Sequence, residues 1–130
     1  SDMSLVSLRI TGVNFDLDYG SLPERWAEPG AKIGTFWSYI DARDAALACR
    51  LAVEADIDGH LICNLSADTS RYREPTAELI ARYLPGTKIR DGFPSHFGGL
   101  DNSRIKRALG FEARHHWRDY ITPDGKTIAP

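Results

Sequence analysis

The sequence predicts an α/β fold, a small mixed or parallel sheet with helices packed on it. Residues 41–56 have helical spacing, and residues 61–65 (Leu-Ile-Cys-Asn-Leu) are an almost unbroken apolar run just beyond a turn at Gly59. A helix feeding a buried strand is the returning half of a βαβ unit. The strand at 61–65 lacks alternation, as expected for a parallel strand covered on both faces. Residues 5–10 add a second strand, with Val6, Leu8 and Ile10 on one side and Ser7 and Arg9 on the other. A chain of 130 residues is expected to form a single domain able to bury a core without staples.

In chain order, Ser1-Asp2-Met3 read as a remnant of expression. The strand at 5–10 follows so closely that the chain is expected to be cut from something larger. Residues 11–34 are loop-like, punctuated by Gly12, Gly20, Pro23, Pro29 and Gly30, with a short helix at 22–27 that has Pro23 at its first position. A long irregular loop usually binds or covers something.

Asp41 is a good N-cap for the helix at 41–56, and Asp44 puts negative charge in its first turn, where the dipole favours it. Both are expected to serve the helix start rather than catalysis. At about 100° per residue, Ala45, Ala48, Cys49, Ala52 and Val53 form one stripe and Leu47 and Leu51 a second face. A helix this apolar is expected to be covered on most sides. Residues 66–74 are polar and turn-like. Pro75 opens a helix to 84 with Ala77, Ile80, Ala81 and Leu84 facing inward, and Pro85-Gly86 stops it. A short strand is expected at 87–91, then a glycine-rich loop at 92–99 holding Phe93, Pro94, His96 and Phe97. Asp101 or Ser103 caps a last helix with Ile105, Ala108 and Leu109 inward, ended by Gly110. One helical turn is expected at 117–121, and the tail from Thr122 is expected to fray.

Net charge is −2, with 16 basic and 18 acidic residues interspersed, so no electrostatic footprint favours nucleic acid or an anionic membrane. No stretch approaches the roughly 18 apolar residues of a membrane-spanning helix, and no signal peptide is visible, which makes the cytoplasm the expected location. Cys49 on the stripe and Cys63 in the strand read as reduced structural thiols, with a disulfide or redox pair as the alternative. None of the eleven glycines fits G-x-G-x-x-G. There is also no Walker loop, H-E-x-x-H or G-x-S-x-G elbow. His60, His96, His115 and His116 lack zinc-site spacing, so no metal is expected. Nothing in the residues assembles a complete catalytic site.

A set of motifs in fixed order points further. Leu8-Arg9 leads to Val13; then come Tyr39-Ile40-Asp41-Ala42-Arg43-Asp44-Ala45-Ala46, Asn64-Leu65-Ser66-Ala67-Asp68, and Asp101-Asn102-Ser103-Arg104 with Leu109-Gly110-Phe111. From about Leu5 to Tyr120 the chain resembles the C-terminal portion of an NAD-dependent epimerase/dehydratase of the extended short-chain dehydrogenase/reductase family. The resemblance implies the last strands of a nucleotide-binding sheet and most of a substrate lobe, with NAD or NADP as cofactor of the complete enzyme. The family's glycine fingerprint and Tyr-x-x-x-Lys pair are missing. The five tyrosines are followed four residues on by Pro23, Arg43, Thr76, Thr87 and Asp124, and Arg43 does not substitute for lysine in lowering a phenol's pKa.

The chain alone is therefore expected neither to hold a dinucleotide tightly nor to transfer hydride. The resemblance places Gly12 and Val13 beside the nicotinamide, with Gly12 where the family often has asparagine. It puts Trp37 where a diphosphate-gripping arginine often stands and matches Arg90 to a second such arginine. With one arginine kept and one replaced by an indole, a less charged or aromatic-stacking sugar is the expected ligand, within a class of sugars and nucleotide sugars. Trp37 reads equally as packing and Arg90 as a solvated charge; His96 is a further candidate substrate contact. An apolar sheet edge left open predicts a homodimer or higher oligomer. The alternative function is a stand-alone non-catalytic module that binds a small sugar or dimerises.

Overall fold

The computed structural model describes residues 3–129; Ser1 and Asp2 of the expected expression remnant lie outside the described residues. Strand β1 (Leu5–Ile10) pairs in parallel with β4 (His60–Leu65), in register from Leu5 opposite His60 to Ile10 opposite Leu65. A smaller parallel pair joins β2 (Val13–Asn14) to β3 (Ile40–Asp41). Between them run α1 (Leu22–Arg25) and a 3-10 helix (Pro29–Thr35). Helix α2 (Ala42–Glu54) crosses from β3 to β4, followed by α3 (Thr76–Tyr83), α4 (Ser103–Leu109) and a 3-10 turn (Trp117–Asp119). The chain is α/β, with small parallel sheets and packed helices, as its patterning predicts.

The caps follow the chemistry of their residues. The Asp41 side chain accepts from the Arg43 amide at 2.8 Å, which fixes the start of α2. Gly110 ends α4 with a left-handed φ of 65°, open to glycine without a Cβ penalty. Pro75 stands at the α3 N-cap. At α4 the N-cap is Asn102 rather than Asp101 or Ser103, and the Asp101 carboxylate accepts from the Ser103 amide at 2.8 Å.

Side-chain orientation departs from expectation in several places. The buried face of α2 is centred on Asp44 and Ala48, with Ala45, Leu47 and Leu51 beside them, whereas Cys49 is exposed and Val53 is 86% exposed. A two-stranded sheet and α4 cover only one side of the helix. On α3 the buried residues are Thr76 and Leu79, while Ala77 and Ala81 face solvent; on α4 Ala108 is exposed. Exposing an alanine costs little, so larger neighbours decide each helix rotation. Residues 87–91 form no strand, because no strand among the described residues pairs with them. The tail folds back: Ile121 bridges Thr127 and is buried, and the Ile128 amide donates to the Tyr120 carbonyl at 2.9 Å. Both thiols are free, Cys63 buried and Cys49 exposed.

The core divides in two. An aliphatic cluster (Ile40, Ala48, Cys63, Leu65, Ile105, Phe111) lies against β1 and β4. An aromatic cluster, with Tyr19, Trp26, Trp37, Tyr39, Tyr72 and Trp117 as its largest members, fills the irregular half.

Candidate functional site

The junction of β2 and β3 brings residues 11–14 against 37–41. The Ile40 amide donates to the Gly12 carbonyl at 3.0 Å, continuing the pairing of Val13 with Ile40. Behind it lies a closed polar network. The Asp41 carboxylate accepts from the Tyr19 hydroxyl at 2.7 Å and from the Arg43 side chain at 2.9 and 2.8 Å. Burial pushes the Asp41 carboxyl up, but the hydrogen bonds from Arg43 and Tyr19 outweigh it and hold the group below its ordinary range. Arg43 also lies over the Tyr120 ring, 5.2 Å from its centroid.

This network answers the question raised by Tyr39 and Arg43. Burial pushes the Tyr39 phenol up to about 12, and its oxygen accepts from the Trp117 amide at 3.1 Å. The Arg43 guanidinium is engaged on Asp41. A tyrosine used as a general acid/base needs the opposite shift, and Tyr39 and Arg43 are each committed to other partners.

Asp44 is more than a helix-start charge. Its buried carboxylate accepts from the amides of Arg114 and His115 at 3.0 and 2.9 Å and pairs with the His115 ring at 2.8 Å. It thereby ties the segment after α4 to the start of α2.

The other candidate residues are placed as follows. Trp37 is fully enclosed, donates its indole N–H to the Pro29 carbonyl at 2.8 Å and packs 6.3 Å from the Tyr83 ring. It offers no face to a ligand, which matches the packing alternative. His96 is half-buried; its Nδ1 lies 3.4 Å from Arg118 Nη2, and its carbonyl accepts from the Ser70 amide at 2.9 Å. The loop at 92–99 docks on residues 66–72 through Gly98, where a Cβ would come within 2.6 Å of the Ala67 carbonyl. Arg90 is exposed in the 87–91 loop, where its carbonyl accepts from the Phe93 amide at 3.3 Å. The fold thus links Gly12, Val13, Trp37 and His96 through the 66–72 segment and leaves Arg90 outside the group.

Arg71 is the residue that sequence reasoning passed over. It is 6% exposed, and a Cβ at Gly12 would lie 2.5 Å from its Nη2. In the sequence it sits in a polar, turn-like segment, and no local pattern marks it as buried.

At the strand-to-helix junction from β3 into α2 the Asp41 carboxylate occupies the Arg43 amide, one of the backbone donors that an anion would seek there. Among the described residues no group of three or more His, Cys, Asp and Glu side chains is placed to hold a metal ion, and no helix is long and apolar enough to cross a membrane.

No family model matches the chain. It is similar to the ketoreductase azaE of Aspergillus niger, with 29% identity over 96 residues, covering 69% of this chain and 28% of the relative. Among solved structures it is similar to MoeE5 in complex with UDP-glucuronic acid and NAD, with a TM-score of 0.48 and 18% identity, covering 88% of this chain and 44% of that one. The chain spans less than half the length of either protein.

Proposed function

We propose that this chain is the substrate-binding part of an NAD(P)-dependent sugar epimerase, dehydratase or reductase and is inactive alone. The observation that carries the reading is the 29% identity with a ketoreductase over 96 residues, in a chain whose own motif order is that of a nicotinamide-dependent family. In the complete enzyme the Gly12–Val13 backbone borders the nicotinamide, His96 contacts a sugar or nucleotide sugar, Arg90 reaches that ligand from the separate, exposed 87–91 loop, and Trp37 supports the wall behind His96. NAD or NADP belongs to that complete enzyme, and its phosphates are held by residues outside this chain. We further propose a cytoplasmic homo-oligomer assembled through the exposed ends of β1, where Leu5 and Ile10 remain about half exposed.

A second reading is a non-catalytic sugar-binding or dimerising module, in which the Tyr39 hydroxyl and the Arg43 guanidinium serve only internal contacts, to the Trp117 amide and to Asp41.

Ligand-detected NMR on the purified chain tests the first reading, with D-glucose, UDP-glucose, NAD and NADP as probes. The expected result is saturation transfer to the sugars, none to either dinucleotide, and no reduction of NAD or NADP. Dinucleotide binding without sugar binding contradicts it. Light scattering at high concentration checks the oligomer, and a monomer removes that part.

A further inference from the structure

We propose that Arg71 is the anchor of an oxyanion subsite beside Gly12, which takes the carboxylate or phosphate of the substrate; this rests on the sugar-binding function above and adds to it a subsite for an acidic group.

Arg71 is a buried cation with no counter-charge among the described residues. Its Nε donates to the Ser38 carbonyl at 3.2 Å, while Nη1 and Nη2 have no hydrogen-bond partner among the described residues. None of the ion pairs among those residues includes it. The ionisable groups acting on it are Arg25, Tyr39 and Tyr72, with no carboxylate, and burial pulls its pKa down. Buried charges in folded proteins are normally paired. The terminal nitrogens of Arg71 are not among the enclosed polar atoms that lack a partner, so they reach the surface, where a group of opposite sign can meet them.

The guanidinium is also held in place. The Arg71 amide donates to the Trp37 carbonyl at 3.0 Å, and the Arg71 carbonyl accepts from the Trp26 indole at 2.8 Å. Residue 12 is a glycine, and its missing side chain leaves the room that Nη2 occupies. The result is a fixed fork with Nε tied back to the protein and the two terminal nitrogens uncommitted. That is the face which pairs bidentately with a carboxylate or two phosphate oxygens. Arg25 adds a second positive charge to the same region.

The test follows the Arg71 Nε–H resonance of the 15N-labelled wild-type chain during titration with sodium D-glucuronate, inorganic phosphate and D-glucose. The expected result is a saturable shift with at least one of the two oxyanions and none with glucose. Glucuronate alone identifies a carboxylate subsite and phosphate alone a phosphate subsite. Arg71→Lys keeps the charge but loses the fork and is expected to bind the active oxyanion about tenfold more weakly, with an unchanged circular dichroism spectrum. Gly12→Ala displaces the guanidinium and is expected to weaken binding in the same direction. Absence of a shift with both oxyanions overturns the proposal without needing either variant. Wild-type affinity in a folded Arg71→Lys chain also overturns it. If D-glucose still binds in either case, the oxyanion subsite falls while the sugar-binding reading stands.

Discussion

The aromatic and aliphatic halves of this molecule are held together by different means. Around β1 and β4 the backbone satisfies itself through a ladder, and small or aliphatic side chains such as Ala48, Leu65 and Ile105 complete the packing. In the other half the backbone is mostly loop, and large rings with polar tips fix it. The indoles of Trp26, Trp37 and Trp117 donate to the carbonyls of Arg71, Pro29 and Ser70 at 2.8, 2.8 and 2.9 Å. A buried loop carries backbone groups that need partners, and a tryptophan or tyrosine brings both apolar bulk and one hydrogen bond. The candidate site lies at the seam, where β2 and β3 lend regularity and the aromatic half positions Arg71 and His96.

Trp117→Ala breaks the aromatic half most directly. The expected loss is about 3–5 kcal/mol from the cavity alone, increased by leaving the Ser70 carbonyl without its donor. Urea denaturation measures it, and a loss below about 1 kcal/mol shows that the indole is not the anchor described here.

Asp44→Ala is next and probes how the segment after α4 is tied to α2. Two backbone amides lose their acceptor, for an expected loss of about 1–3 kcal/mol. Hydrogen exchange is expected to accelerate at Arg114 and His115 before the β1–β4 ladder is affected.

The Asp41 network sets an acid limit. Its carboxyl is held below the ordinary value of 3.8 in the folded chain. The stabilisation is therefore complete above that pH and is lost as pH falls through the lower folded-state value. Asp41→Asn is expected to flatten the acid limb of a stability-versus-pH profile, and an unchanged limb removes Asp41 as a contributor. The smallest effect is expected at Val53, where Val53→Ser changes stability by no more than about 0.5 kcal/mol because the side chain is exposed.

The same division explains what was legible in the sequence. Strands β1 and β4, the Asp41 cap, Pro75 and the Gly110 stop each depend on local chemistry and are readable residue by residue. Helix faces were less so: rows of alanine at 45, 48 and 52, or at 77 and 81, fit more than one rotation, and the bulk of Leu47, Leu51 and Leu79 settled them. Two-residue strands are too short to show a period, so β2 and β3 appear only once Ile40 meets Gly12. The segment from Ser66 to Tyr72 reads as polar surface, yet Ser66, Ser70, Arg71 and Tyr72 are all buried. Its backbone partners come from residues distant in sequence, such as Trp26, Trp37 and Trp117, and no local pattern records those. Arg71 was missed for that reason, and Trp37, which the resemblance puts where a diphosphate-gripping arginine often stands, is enclosed in the aromatic core.

Isothermal titration of the purified chain with NAD, with NADP and with a sugar tests the central claim most directly. A substrate lobe without a dinucleotide fingerprint predicts saturable heat with D-glucuronate or UDP-glucose and none with either dinucleotide. Low-micromolar NAD binding, with no heat from either sugar, contradicts it.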